Sequence, residues 1–295
     1  MRYLRWLSVA LALFVAPSMS NAQKPPGYAG TAACVDCHKE NFGAFNNSLH
    51  GKAADSRTPA ASLGCETCHG PGAKHADNPD EKIRGLKNLS PDAVTAVCTG
   101  CHSAGEHALW AGSKHEARGV ACTTCHSVHH SKGAHLVKTE KQAQLCATCH
   151  RNIVNKLNRF NHMPVREDKL VCTNCHNTHG SANVKLLRAG TTIDETCTSC
   201  HSEKRGPYLW EHAPVSNSCT TCHDPHGTSN ERMLVAKVPF VCQRCHVTSR
   251  HPPTVYSQFN IETASSANRI QSRGCITCHA QIHGSNSPNG QRFLR

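Results

Sequence analysis

Apolar residues gather into one sustained run, Leu7 to Ala16, with Arg2 and Arg5 before it and Ser20-Asn21-Ala22 after it. A basic flank, an apolar stretch and a small-residue site read as an export leader over 1–22, so the mature chain is expected to begin at Gln23. No later stretch approaches the roughly 20 consecutive apolar residues of a spanning helix. A bacterial lipoprotein would carry a cysteine where Gln23 stands, so no lipid anchor is expected. Beyond the leader, apolar positions come in short groups between polar ones, and Gly and Pro recur throughout. This pattern predicts short helices, much coil and little or no sheet. Ser90-Pro91-Asp92 has the form of an N-cap with proline at the first helical position, leading into Cys98. Thr139 with Gln142, and Thr192 with Glu195, have capping-box spacing and lead into Cys146 and Cys197. Gly70-Pro71-Gly72 and His251-Pro252-Pro253 mark loops.

Composition sharpens the problem of the core. Aromatic residues are 5% and apolar residues 38% of the chain, below the usual apolar share of about 45–50%. Either the chain is disordered or something large and apolar, not an amino acid, fills its interior. The 20 cysteines decide between these, because every one falls in a Cys-x-x-Cys-His pentapeptide. The first five are Cys34, Cys37 and His38; Cys65, Cys68 and His69; Cys98, Cys101 and His102; Cys122, Cys125 and His126; and Cys146, Cys149 and His150. The second five are Cys172, Cys175 and His176; Cys197, Cys200 and His201; Cys219, Cys222 and His223; Cys242, Cys245 and His246; and Cys275, Cys278 and His279. Two thiols three positions apart on a helical turn can form thioethers to the two vinyl groups of a haem, and the next histidine then binds its iron. Zinc ribbons do not require a histidine after every second cysteine, and disulfide frameworks require none. An exported chain also reaches the oxidising compartment where c-type haem is attached. The expected cofactors are ten covalently bound haem c groups.

Ten of the 23 histidines belong to the motifs, which leaves thirteen. Ten of these fall in a repeating place when the chain is divided into five two-haem segments, each reading motif, histidine, motif, histidine. The first histidines are His50, His115, His162, His212 and His251; the second are His75, His129, His179, His226 and His283. The register is carried by His162-Met163-Pro164-Val165 before Cys172-Thr173-Asn174-Cys175-His176-Asn177-Thr178-His179-Gly180, and His212-Ala213-Pro214-Val215 before Cys219-Thr220-Thr221-Cys222-His223-Asp224-Pro225-His226-Gly227. These supply a second axial ligand for every iron, the closed coordination of a wire. A histidine three residues after a motif histidine stays on one side of its own porphyrin, so it is expected to serve another haem. His107, His130 and His135 are surplus and expected to be exposed without a partner, with His130 an alternative to His129. Met163 and Met233 are assigned to packing.

The formal charge of +12 drops by two with Arg2 and Arg5. A ferric bis-imidazole haem with its propionates carries formally about −1, so ten contribute about −10. Lysine and arginine are therefore read as propionate partners, and no nucleic acid is expected.

With ten motifs, His-Gly after several of them, and the tail Cys275-Ile276-Thr277-Cys278-His279-Ala280-Gln281-Ile282-His283-Gly284-Ser285-Asn286, the chain resembles the MtrA/DmsE family of periplasmic decahaem cytochromes c, MtoA-like and PioA-like homologues included. The resemblance implies an elongated, haem-packed rod over 23–295, built as two pentahaem halves. It implies residence in the periplasm, inside an MtrB-like outer-membrane β-barrel porin. Its partners would be periplasmic cytochromes or quinol-oxidising proteins, with an extracellular multihaem cytochrome beyond the barrel. Electron transfer to extracellular donors or acceptors such as iron or minerals is the implied function, a carrier's role rather than a catalyst's. Two alternatives stay open at this point. One is a periplasmic electron-transfer subunit for a reductase of the dimethyl sulfoxide type. The other is a multihaem enzyme of the nitrite or hydroxylamine type, which needs an iron with an open position.

Overall fold

The computed structural model describes residues 25–162, 165, 167–246 and 274–294. The leader, Met163 and His251 lie outside the described residues, and so does the loop at His251-Pro252-Pro253. The chain divides into two compact units, Met1–Gly85 and Leu86–Arg295. Among the described residues secondary structure is short α-helices and single 3-10 turns, with isolated β-bridges in place of strands. The longest helix among them, Pro91–Thr99, has nine residues, and no described helix is long and apolar enough to cross a membrane.

The first unit is organised by a buried carboxylate. Glu66 opens the helix Glu66–His69, is only 2% exposed, and accepts hydrogen bonds from the N–H groups of Ala29 (2.9 Å), Gly30 (2.7 Å) and Gly72 (2.7 Å). It therefore pins two stretches of chain to one point: the entry to helix Thr31–Val35, which carries Cys34, and the loop after His69. Burying a carboxylate is tolerated where its lone pairs are used in this way. Helix Lys39–Asn46 turns Phe45 inward.

In the second unit the sequence signals for helix starts are met at two of three places. Ser90 Oγ accepts from Ala93 N–H (3.3 Å) with Pro91 at the first helical position, and Thr192 exchanges bonds with Glu195 (3.2 and 3.0 Å). The third differs: helix Gln142–Ala147 is capped by Lys141, whose N–H reaches Gln144 Oε1 (3.5 Å). Thr139 spends its hydroxyl on the Lys141 carbonyl instead (2.9 Å), so the start lies two residues later than the spacing suggested.

After three motifs the backbone repeats one closure. His126 bridges Val137, His176 bridges Leu187 and His223 bridges Leu234. Each closure turns on a pair of left-handed residues: His135 and Leu136 (φ 54° and 60°), Lys185 and Leu186 (56° and 58°), Arg232 and Met233 (56° and 57°). Such pairs without glycine cost about 1–2 kcal/mol per residue. Hydrogen bonds across each bridge oppose that cost, for example Asn177 N–H to Leu186 O (2.7 Å) and Arg188 N–H to Cys175 O (2.8 Å).

Two further bridges join distant segments. Phe160 pairs with Thr228 and Trp210 with Ser285, both by two-way main-chain bonds of 2.9–3.0 Å. Each lies two residues before a first histidine, His162 or His212, and two after a second one, His226 or His283. The His-Gly dipeptides make this approach possible. Gly227 has φ 124°, and a Cβ there would press into the carbonyls of Lys156 and Phe160. Gly180 and Gly284 stand in the same conformation against Leu109 and Tyr208. Only glycine combines that φ with so close a contact, to backbone at Gly180 and Gly227 and to the Tyr208 ring at Gly284.

Candidate haem-ligation sites

All ten pentapeptides close one helical turn, the histidine N–H donating to the carbonyl of the first cysteine at 2.8–3.1 Å. The turn places the two thiols and the imidazole of each motif on adjacent positions of one face, the arrangement thioether attachment and iron ligation need. None of the twenty cysteines forms a disulfide.

The two thiols of a motif differ in their surroundings, a distinction the spacing alone did not show. Every first cysteine is half-buried, whereas among the second cysteines Cys37, Cys101, Cys149, Cys175, Cys200, Cys245 and Cys278 are exposed. Cys68, Cys125 and Cys222 depart from that division and are half-buried. The reason lies in how motifs pack: the first cysteines of a segment turn toward each other, Cys122 to Cys98, Cys146 to Cys172, Cys197 to Cys219 and Cys242 to Cys275. The second cysteine, almost one helical turn further on, falls on the outer edge of that contact. A thiol–thiol hydrogen bond lowers Cys122 to about 6 and Cys172 and Cys197 to about 7, making them the readier thiolates. The same bond pushes Cys146 and Cys219 up.

The imidazoles then pair across the fold. Motif histidines meet candidate distal histidines at ring-centroid distances of 5.9–6.3 Å: His38 with His75, His126 with His179, His150 with His115, His176 with His226, His201 with His162, His223 with His283 and His246 with His212. A metal–imidazole bond of about 2 Å on each side, with about 1 Å more to each ring centre, gives a centroid separation near 6 Å. The gaps therefore fit an iron held by two imidazoles. Leu49, Phe160, Val184 and Leu209 are each more than half exposed, apolar surface that the protein itself leaves uncovered.

The pairing is interlaced. In the second unit, His115, His162 and His212 each face the first motif of the following segment, while His179, His226 and His283 face the second motif of the preceding one. His50 sits in the turn Leu49–Gly51, His129 stands 6.3 Å from His130, and His69, His102 and His279 keep their motif turns.

Supporting contacts orient the distal rings. His115 Nδ1 donates to Thr178 O (2.8 Å) and His75 Nδ1 to Glu81 O (2.7 Å). Asp224 accepts the His226 main-chain N–H (3.0 Å), as Asn177 does for His179 (3.2 Å). Burial pushes Asp224 up, but its ion pair with Lys156 (2.6 Å) and the His226 N–H more than offset this and keep it ionised. Burial is also the main reason that His126, His212, His226 and His283 are held below the ordinary histidine value and His179 falls to about 4. A neutral imidazole is the form that binds metal.

One surplus histidine is not the solitary exposed residue its surroundings in sequence suggested. The His107 ring, on the turn Gly105–His107, lies 4.3 Å from His179 at a tilt of 42° and 5.5 Å from His102, and Trp110 lies 6.5 Å from the same His179 ring. Sequence reasoning also passed over the main-chain carbonyls of Arg84, His135, Lys185, Arg232 and Arg292, which accept from motif imidazoles. The recoverable signal was a constant spacing of nine residues from motif histidine to acceptor in three of these closures.

The doubled Cys-x-x-Cys-His motif family matches residues 115–155, 162–206 and 212–251. Each match begins at one of the first histidines. Over 273 residues the chain is 37% identical to the multihaem cytochrome MtrA of Shewanella baltica (strain OS185), covering 90% of this chain and 81% of that protein.

Proposed function

Because the chain belongs to the family of multihaem c-type cytochromes that includes MtrA, we propose that it carries ten haems, each closed by two histidines, and serves as an electron conduit from the periplasm through the outer membrane. Covalently bound haem c and electron transport follow from the family itself. The observation that supports the finer reading is the set of seven imidazole pairs near 6 Å among the described residues, a spacing at which an iron between the rings would keep no position for a substrate. Each haem, when bound, supplies a one-electron ferric/ferrous couple.

The chain's own residues do the rest. Motif cysteines would hold each haem through thioethers, the first thiol half-buried and its partner, Cys37 or Cys101 for example, exposed. Motif histidines would each bind one iron, and His50, His75, His115, His129, His162, His179, His212, His226, His251 and His283 would supply the second imidazole. Closed coordination keeps nuclear rearrangement small when an electron arrives or leaves, and this favours a carrier over a catalyst. Interlaced ligation ties each segment to its neighbours in the second unit. A chain of this polarity cannot face lipid, since unsatisfied backbone groups in hydrocarbon are costly. An MtrB-like β-barrel would supply the sheath, with periplasmic cytochromes or quinol-oxidising proteins at one end and an extracellular cytochrome, iron or mineral at the other.

The mass of the holoprotein tests the count: ten haem additions are expected, and fewer would sink the ten-site reading. Reconstitution with a candidate barrel in liposomes holding a reduced dye tests the conduit. External ferric iron should oxidise the internal dye; an assembled complex that leaves it reduced would overturn the transmembrane role.

A further inference from the structure

The second motif of every segment shares a feature that stands apart from the ligand pairs. Nδ1 of His69, His126, His176, His223 and His279 lies 2.7–2.9 Å from the main-chain carbonyls of Arg84, His135, Lys185, Arg232 and Arg292 respectively. A carbonyl can only accept, so Nδ1 carries the proton and Nε2 is left as the iron ligand. Among the described residues no main-chain carbonyl holds Nδ1 of His38, His150, His201 or His246 in this way; for His201 the near group is Glu203 Oε1 at 3.7 Å.

Ring orientation adds to the division. The three second-motif pairs with described partners are nearly parallel: His126 with His179 at 21°, His176 with His226 at 12° and His223 with His283 at 16°. The two crossed pairs both belong to first motifs, His150 with His115 at 71° and His201 with His162 at 65°. The first-motif pairs of His38 and His246 are near parallel, at 26° and 16°, but lack the carbonyl.

We propose that these five carbonyls are positioning groups that sort the haem sites into two electronic classes, second-motif sites being the more reducing and the crossed sites at His150 and His201 the more oxidising. The inference rests on the bis-imidazole reading above. Two effects act in the same direction. Donating Nδ1–H makes the imidazole more basic and stabilises ferric iron. Parallel rings direct both π-systems at one iron d orbital and split it from its partner. A ferric ion, with one electron missing from that pair, gains from the splitting, whereas a ferrous ion with both orbitals filled gains nothing. Crossed rings act on the two orbitals equally and forgo the gain. His135, Lys185 and Arg232 offer their carbonyls only because each sits at φ 54–56°.

The test uses the full-length holoprotein. In the wild type, the ferric electron paramagnetic resonance spectrum should contain two low-spin populations, rhombic signals from parallel pairs and a highly anisotropic minority from crossed ones. A wild-type spectrum without the anisotropic population overturns the proposal, even if no variant folds. In Lys185→Pro the ring holds φ near −65° and turns the carbonyl away from His176. Lys185→Gly loses the same side-chain charge but keeps the left-handed turn. In an optical redox titration, about one tenth of the absorbance change should move to higher potential in Lys185→Pro and stay in place in Lys185→Gly. A fully haem-loaded Lys185→Pro protein that titrates like the wild type, or a Lys185→Gly protein that shifts equally, overturns it. A high-spin ferric signal in the wild type would instead strike the bis-imidazole reading alone.

Discussion

His179 shows how far a ligand can stand from the motif that names it. It follows His176 by three residues, yet its ring faces His126 at 6.0 Å, while His176 faces His226 at 6.1 Å. His179→Ala is expected to create one high-spin, cyanide-binding iron. Combining it with alanine at Cys122 and Cys125 should abolish that signal, whereas alanine at Cys172 and Cys175 should leave it. Acid should act at the same position. The pKa of His179 is about 4 in the fold, chiefly through burial, against about 6.5 in an open chain. Protons therefore bind the open state more readily between these values, and the stability His179 gives at neutral pH is lost as pH falls through that window. Iron on the same ring nitrogen would compete with the proton, so absorbance in the high-spin band should appear only as the pH falls below about 4, not near 6.5. Glu66 illustrates the opposite use of a charged residue, holding backbone and binding no metal. Glu66→Ala leaves three N–H donors without their acceptor and should cost on the order of 3 kcal/mol in the unfolding free energy of the holoprotein, read from its denaturation curve.

At the scale of elements, the working piece is the motif turn with the closure that follows it. Nine residues separate His176 from Lys185 and His223 from Arg232, and the left-handed pair brings the chain back under the imidazole. The His-Gly dipeptide is the joint to a neighbouring segment. Gly227→Ala should cost about 2 kcal/mol, because φ 124° is strained for any side chain and Cβ meets the Lys156 and Phe160 carbonyls. The loss would show as a lower unfolding midpoint and, since His226 precedes it, as partial high-spin character at the His176 site.

Across the whole molecule the protein core is thin. Among the described residues only Phe45, Val94, Trp110, Ala121 and Leu187 are buried apolar side chains. So few buried groups cannot offset the conformational entropy of a chain this long. The haems are expected to complete the interior, as metals do in small metal-dependent domains. Apoprotein made without haem attachment should lack a cooperative thermal transition and most of the helical circular dichroism of the holoprotein. An apoprotein that melts cooperatively would show that the polypeptide carries its own core.

Much of this protein is local and was legible in the sequence. Each Cys-x-x-Cys-His pentapeptide specifies its own helical turn, because thiols and imidazole must share one face within five residues. The caps at Ser90 and Thr192 are likewise contacts within a few positions. The repeat of two histidines per segment is also written along the chain, which is why the candidate ligands could be named from it. What tertiary structure decided is which ligand faces which motif, and which thiol of a motif is drawn inward. The first choice depends on the bridges Phe160–Thr228 and Trp210–Ser285, which join residues far apart in sequence and pass over the nearest candidate in favour of one in another segment. The second depends on how two motifs pack, which leaves Cys149 or Cys200 exposed while Cys146 and Cys197 meet their counterparts. The contact of His107 with His179 and the carbonyls beside the second-motif imidazoles were decided in the same way. A ring contact depends on where loops cross, and a carbonyl acceptor carries no residue type for a sequence to display.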